Sequence, residues 1–289
     1  MALTTAKNQK TFSTTVMNFT KKLLLYILLT LVALFMLGPF IWLISTALKS
    51  GGENIFQYPP QLIPEQVTFS NFVGVMDAFP FWTYLLNSVI VTILTVILNV
   101  LFCSLAAYPL ARMKFKGKNL IFILILSTMM IPFQLLMIPV YELALSLGLD
   151  NTYAGMILPQ ITTAFGVFLM RQAFMVIPYE LDESARMDGA NRFQIWLRIL
   201  MPLAKPSMLT LTVFTFIFAW GDFLWPLIII SDQDMFTLTL GLDMLSGTFS
   251  SDWRLIAAGA IISMLPAIVV FLFLQKYFIG GLMKGAVKE

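Results

Sequence analysis

Six apolar stretches, roughly 23–48, 84–110, 120–140, 153–174, 206–230 and 255–279, follow one another along the 289-residue chain, separated by polar segments. Each reaches the ~20 residues that a helix needs to cross the hydrocarbon core of a bilayer. The pattern predicts an all-α membrane protein with six transmembrane helices. The first stretch has the basic flank of a secretory signal, but it is far longer than the roughly 7–15 apolar residues of such a signal. With five more stretches behind it, it reads as an uncleaved anchor. Prolines fall inside the stretches at Pro39, Pro132, Pro139, Pro159, Pro226 and Pro266. Each removes a backbone donor and bends or breaks its helix, and the freed carbonyls then need a neighbouring helix or a wet cavity. Any one of them can simply shape packing, while together they lean toward helices broken beside a transport path.

The segment 178–202 breaks this pattern most sharply. Pro178 stands where a first-turn proline belongs, with Glu180, Asp182 and Glu183 in the electropositive first turn of a short helix. Gly189 ends that helix as a left-handed glycine would. Asn191 caps a second helix, with Gln194 three residues on completing a capping box. In the second helix Phe193, Trp196, Leu197 and Leu200 share an apolar face, and Asn191, Gln194 and Arg198 form a polar stripe. Pro202 closes the unit. A helix lying on lipid would explain the apolar face but not the acidic first helix. A solvated loop would need neither the caps nor the periodicity. A docking element for a soluble partner explains both, with small Ala185, Gly189 and Ala190 allowing close approach.

Composition and charge then orient the chain. It is 59% hydrophobic and 11% charged, against roughly a quarter charged in a soluble domain. Sixteen of the eighteen Lys and Arg residues fall before the first stretch, after the second, from the end of the fourth (Arg171) to the fifth, or from the end of the sixth (Lys276) onward. Only Lys49 and Arg254 lie on the other side. The positive-inside rule therefore predicts cytoplasmic N and C termini and a cytoplasmic 178–202 loop. The net charge of +3 follows from this asymmetry, so no nucleic-acid partner is needed. Residues 1–20 read as a mobile polar tail, and 49–80 and 231–253 as outer loops, the latter long enough to contact something outside. The chain has no histidine, which removes histidine-based hydrolytic and metal sites. It has no Gly-x-x-x-x-Gly-Lys-[Ser/Thr] loop for nucleotide phosphates. If it is an energised pump, the energy comes from another subunit. The lone cysteine, Cys103, reads as an unreactive packing residue inside the second stretch.

Asp222 is the one acid within an apolar stretch, beside Trp220, Phe223 and Trp225. An intramembrane carboxylate is costly and is a functional-site hypothesis by default. A carboxylate among aromatic faces suits a sugar, whose hydroxyls need hydrogen bonds and whose C–H face stacks on rings. The other reading is a structural carboxylate that accepts bonds from a neighbouring helix or caps the kink before Pro226. Trp220, Asp222, Phe223 and Trp225 are the candidate substrate path.

Three groups of residues in the 178–202 segment carry a resemblance: Glu183, Ser184 and Ala185; Asp188, Gly189 and Ala190; and Ile199 to Pro202. In order and spacing they resemble the glutamate–alanine–alanine loop of bacterial ABC-importer permeases. Ser184 replaces an alanine and Met201 a leucine of that pattern, keeping size or apolarity. The run 111–117 resembles the basic second loop of carbohydrate permeases, 219–226 their fifth-span signature, and 275–288 the tail of the maltose-permease subgroup. The resemblance implies a type I ABC importer transmembrane domain over 83–279, preceded by a cytoplasmic tail (1–22) and a first helix with outer loop (23–82), and followed by a cytoplasmic tail (280–289). It implies a sugar or oligosaccharide permease of the bacterial cytoplasmic membrane, not itself an enzyme. The implied partners are a second homologous permease, a cytoplasmic ATPase dimer, an extracytoplasmic sugar-binding protein and membrane lipid. This chain would bind no cofactor, with ATP and Mg held by the ATPase. Glu183 would pair with a basic residue of the ATPase, the 231–253 loop would reach the binding protein, and the 280–288 tail would meet the ATPase interface. The alternative is a secondary transporter driven by an ion gradient, with Asp222 as the coupling carboxylate.

Overall fold

The structure, a computed structural model, describes residues 2–246 and 252–286, and side chains over 20–246 and 252–275. It is all-α: among the described residues the β contacts are confined to isolated bridges, such as Lys49–Val67. The chain divides into two compact units, Met1–Phe72 with Trp253–Ile261, and Val73–Asp252 with Ile262–Glu289.

In the first unit α1 runs from Ala2 to Leu48. The stretch 2–19, expected as an irregular tail, is part of this helix. No glycine or proline interrupts the sequence before Gly38, so helix propagates outward from the apolar span at little cost. No residue in the most apolar window of α1 is fully buried. The outer segment that follows is tied down by polar contacts. Asn71 Nδ2 donates to the carbonyls of Ala47 and Lys49 at 2.8 and 2.9 Å. The Glu53 carboxylate accepts the backbone N–H groups of Glu65 and Gln66 at 3.0 and 3.1 Å.

After the short helix α2 (Ser70–Ala78), the second unit is organised by α3 (Phe81–Arg112). Between large residues buried at its two ends (Phe81 and Tyr84, Tyr108 and Leu110), the buried stripe of α3 is, apart from Val91, polar or small: Asn87, Ser88, Thr92, Thr95, Asn99, Cys103, Ser104 and Ala107. Ile93, Leu94 and Ile97 face outward instead. In a bilayer apolar association drives nothing, so helices meet through small and hydrogen-bonding side chains that let backbones approach. Next come α4 (Lys118–Ser127), α5 (Phe133–Ser146), α6 (Tyr153–Ile157) and α7 (Ala164–Val176). Helix α3 packs most extensively on α7. There a Cβ built on Gly166 would lie 2.5 Å from Cys103 Sγ. Cys103 is the packing residue expected, and it requires a glycine opposite.

Then follow α8 (Glu180–Met187), α9 (Arg192–Ile195), a π-helical turn over Trp196–Leu200, α10 (Met201–Leu203) and α11 (Lys205–Trp220). The chain ends with α12 (Leu224–Ile229), α13 (Leu238–Asp243) and α14 (Trp253–Ala286).

Among the described residues three helices, Thr20–Leu48, Phe81–Arg112 and Trp253–Gln275, are long and apolar enough to cross a membrane, or up to six spans if each bent pair counts as one. The stretches expected at 120–140, 153–174 and 206–230 are not straight helices. The first two bend by 103° between Lys118–Met130 and Phe133–Ser146, and by 50° between Tyr153–Gln160 and Ala164–Val176. The chain bends by 80° between Arg192–Leu203 and Lys205–Trp220, and is interrupted again after Trp220. Pro132 forms the N-cap at the sharpest break and Pro159 lies in the 3-10 turn of the next. Pro39, Pro139 and Pro266 sit inside unbroken helices, so proline alone does not decide where a helix breaks. Residues 247–251, including Gly247 of the outer loop, lie outside the described residues, as do 287–289 and the side chains from 276 onward in the tail.

Candidate functional site

The 178–202 segment folds as its local signals direct. The Tyr179 carbonyl accepts the N–H groups of Asp182 and Glu183 at 2.9 and 3.2 Å, so Tyr179 is the N-cap of α8 and Pro178 stands one residue before the cap, not in the first turn as expected. Gly189 has φ of +84°. Ala190 N–H donates to Ala185 O at 2.9 Å and Gly189 N–H to Arg186 O at 3.0 Å, the paired bonds of a Schellman ending. Asn191 Oδ1 accepts from Gln194 N–H and Gln194 Oε1 from Asn191 N–H, both at 2.9 Å, completing the expected capping box.

Beyond that box the expected apolar face shifts. Ile195, Trp196 and Leu200 are buried, but Phe193 is 58% and Leu197 47% exposed. Past this face lies the π-helical turn, in which Met201 N–H donates to Trp196 O, five residues back. This wider turn rotates every later side chain relative to α-helical spacing. Pro202 supplies a reason for it, since a proline crowds the carbonyl four residues before it in an α-helix. Ala185, Ile195, Trp196, Leu200 and Ala204 join one apolar core with Ala107 and Tyr108 of α3, Met170 and Phe174 of α7, and Leu211 of α11. The loop is therefore built into the helical body. Glu183, Ser184, Asp188, Gly189 and Pro202 face outward, while Ala190 and Ile199 are half-buried.

One strut was not expected from the sequence. Asp182 is fully buried, and its carboxylate meets Arg112, at the end of α3, at 3.7 Å. Neither carboxylate oxygen is hydrogen-bonded, and Arg112 Nε has no hydrogen-bond partner. Arg112 Nη2 donates instead to Ile177 O at 2.8 Å. Burial raises the Asp182 pKa, against the opposing pull of Arg112 and Arg186, and leaves it above the usual carboxylate value. Its sequence signal was faint: Asp182 and Ala185, three apart, share the inward face of α8.

The aromatic segment around Asp222 uses its polar atoms internally. Trp220 Nε1 donates to Ser263 O at 2.8 Å, and the fully buried Trp225 donates to Gly155 O at 3.0 Å. Asp222 Oδ2 accepts from Gln160 Nε2 at 2.7 Å, and Oδ1 from Trp225 N–H at 3.4 Å. Phe223 is half-buried. The void beside Asp222 is about 10 Å³, the size of one water site. Across Gln160 lies a larger cavity of about 320 Å³, walled by Phe133, Phe165, Phe214 and Phe218, with Asn99 and Thr215 on its lining. Asn99 is held there by Nδ2 donating to Gln160 O at 2.8 Å and by Thr215 Oγ1 donating to Asn99 Oδ1 at 3.1 Å.

Residues 99–283 match the family model described as the binding-protein-dependent transport system inner membrane component. The chain belongs to this family. This permease is 39% identical over 226 residues to the arabinooligosaccharides transport system permease protein AraQ of Halalkalibacterium halodurans, covering 78% of this chain and 81% of the relative. It is 36% identical over 267 residues to AraQ of Bacillus subtilis, covering 92% and 94%. Among solved structures it is similar to a bacterial ABC transporter involved in the import of the acidic polysaccharide alginate. The TM-score is 0.77 at 29% identity, covering 87% of the permease and 94% of that chain.

The permease thus brings Glu183, Ser184, Ala185, Asp188, Gly189, Ala190, Ile199 and Pro202 into one folded unit. Of the four candidate path residues, Trp220 and Asp222 line the water-sized void among the described residues. No group of three or more His, Cys, Asp or Glu side chains that could hold a metal ion occurs among the described residues.

Proposed function

We propose that this permease is one of two different membrane subunits of a type I ABC importer that carries a sugar or oligosaccharide across the bacterial cytoplasmic membrane. Family membership and relatives named for oligosaccharide transport support the substrate class. The observation that carries the coupling is the 178–202 unit, capped at both of its helices and sharing one core with α3, α7 and α11. A partner's motion reaches the membrane helices only through an element that moves with them, since an equilibrium shifts only through differential contacts. In this reading a cytoplasmic ATPase dimer holds ATP and Mg, this chain binds no cofactor, and Glu183 meets a basic residue of the ATPase. An extracytoplasmic binding protein delivers the sugar to the outer side, and both termini of this chain are cytoplasmic.

The substrate path in this reading passes the cavity lined by Phe133, Phe218, Gln160 and Asn99. Asp222, Trp220, Phe223 and Trp225 form the wall behind it. An aromatic surface with a few fixed amides suits a sugar ring. Family membership favours this reading over the ion-driven alternative, and the engagement of Asp222 by Gln160 and Trp225 is in keeping with it. Sugar uptake in cells carrying an inactivated ATPase tests the proposal. Abolished uptake is expected, and persistent uptake driven by an ion gradient would overturn it.

A further inference from the structure

A second feature adjoins the 178–202 unit. A cytoplasmic cleft of about 650 Å³ opens between the residues that end α3 and the turn from α8 into α9. Four cations line it: Arg112, Lys114, Arg186 and Arg192. Arg112 meets the buried Asp182 carboxylate at 3.7 Å, and Arg186 acts on the same carboxylate from farther away. Lys114, Arg186 and Arg192 make no ion pair with any described residue, and all three are exposed. The cleft is also pre-shaped. Arg112 is only 7% exposed, and its Nε, without a hydrogen-bond partner, belongs to this wall. Tyr179 holds two of the cations in position, with Arg112 5.8 Å and Arg186 5.6 Å from its ring centroid and Arg186 Nη1 donating to its hydroxyl at 3.3 Å. Arg192 rests against Met113 Sδ at 4.0 Å.

We propose that this cleft receives an acidic segment of the ATPase, as a second contact beside Glu183. The inference rests on the docking reading of the 178–202 unit given above. Continuity argues for the occupant, because α8 and the Asn191 cap that wall the cleft also carry the outward-facing docking residues. The sign pattern argues for it as well. The unit exposes Glu180, Glu183 and Asp188 next to the unpaired cations. A protein surface bearing both signs satisfies both sets and fixes the register of docking, since complementary charge sets specificity and on-rate. An anionic lipid surface would be drawn to the cations and repelled by the neighbouring carboxylates.

The test measures binding of the purified ATPase to the two-permease complex in detergent and in nanodiscs of neutral or anionic lipid, across a salt series. Lys114 and Arg192 are exposed and lie outside the packed core, so Lys114→Glu with Arg192→Glu leaves the core intact, and thermal unfolding checks this. The double variant is expected to weaken binding at low salt at least tenfold and to flatten the salt dependence. The Lys114→Gln/Arg192→Gln pair is expected to fall between it and the wild type. Unchanged affinity and salt slope in the double variant, while Glu183→Lys weakens binding, would overturn the cleft and leave the docking reading standing. Unchanged affinity in Glu183→Lys and in the cleft variants alike would overturn both. A loss seen only in anionic nanodiscs would identify a lipid headgroup as the occupant and reject the proposal.

Discussion

Replacing Arg112 by Met removes the nearest charge to the buried Asp182 among the described residues, leaving the weaker pull of Arg186. Asp182 has no exposed surface and no hydrogen bond to either oxygen, so the substitution leaves a bare carboxylate in the core that joins the loop to α3. Breaking a buried pair in this way costs about 3–5 kcal/mol. The cost depends on pH with a definite sign. Burial already holds Asp182 above its usual pKa while Arg112 pulls it down, so removing Arg112 raises it further. With a raised folded pKa, stability is fully retained below the unfolded value of about 3.9 and is lost as pH rises toward the folded value. Arg112→Met is therefore expected to lower the unfolding temperature of the purified complex strongly at pH 8 and distinctly less at pH 5. Asp182→Asn in the same background should abolish the pH dependence. Intrinsic tryptophan fluorescence suits the assay, because Trp196 is 2% exposed in the same core. An equal loss for Arg112→Met at both pH values would refute the argument.

Other substitutions separate local from global effects. Gly189→Ala meets open space but a φ of +84°, so it should cost about 1–2 kcal/mol and lower transport-coupled hydrolysis without reducing expression; Gly189→Asn should be milder. Gly166→Ala would press on Cys103 Sγ and is expected to reduce the yield of folded protein, read by size-exclusion chromatography. Asp222→Asn is expected to leave the apparent affinity for sugar unchanged, while Phe218→Ala with Gln160→Ala weakens it; a larger affinity loss from Asp222→Asn would return that carboxylate to the ligand. Reporter fusions at Gly117 and Gly247 should report cytoplasmic and external locations respectively, and a cytoplasmic signal from Gly247 would overturn the topology.

What the sequence revealed follows the range of each interaction. The Schellman ending at Gly189 and the Asn191–Gln194 capping box depend on residues within six positions of one another, and both are legible by eye. The outward turn of Phe193 and Leu197 is not, because which side of the helix packs inward is set by α3, α7 and α11, which meet Ile195, Trp196 and Leu200 instead. The prolines pointed to broken helices, and Pro132 and Pro159 do lie at the 103° and 50° bends, while Pro39, Pro139 and Pro266 sit in unbroken helices, so residue type alone does not say which proline breaks. Arg112 read as a topology charge, since its contact with Asp182 joins residues 70 positions apart. Asp222 and its aromatic neighbours read as a path because their residue types suit a sugar. The partners that engage them, Gln160, Gly155 and Ser263, come from other segments of the chain.

The central claim is that a separate ATPase drives this permease through the 178–202 unit. It is tested most directly in proteoliposomes holding both permeases, the ATPase and the binding protein, with Glu183→Lys as the perturbation. The account predicts that the two permeases stay assembled while sugar uptake and binding-protein-stimulated ATP hydrolysis fall together. Normal assembly of the ATPase with uptake and stimulated hydrolysis at wild-type levels would contradict it.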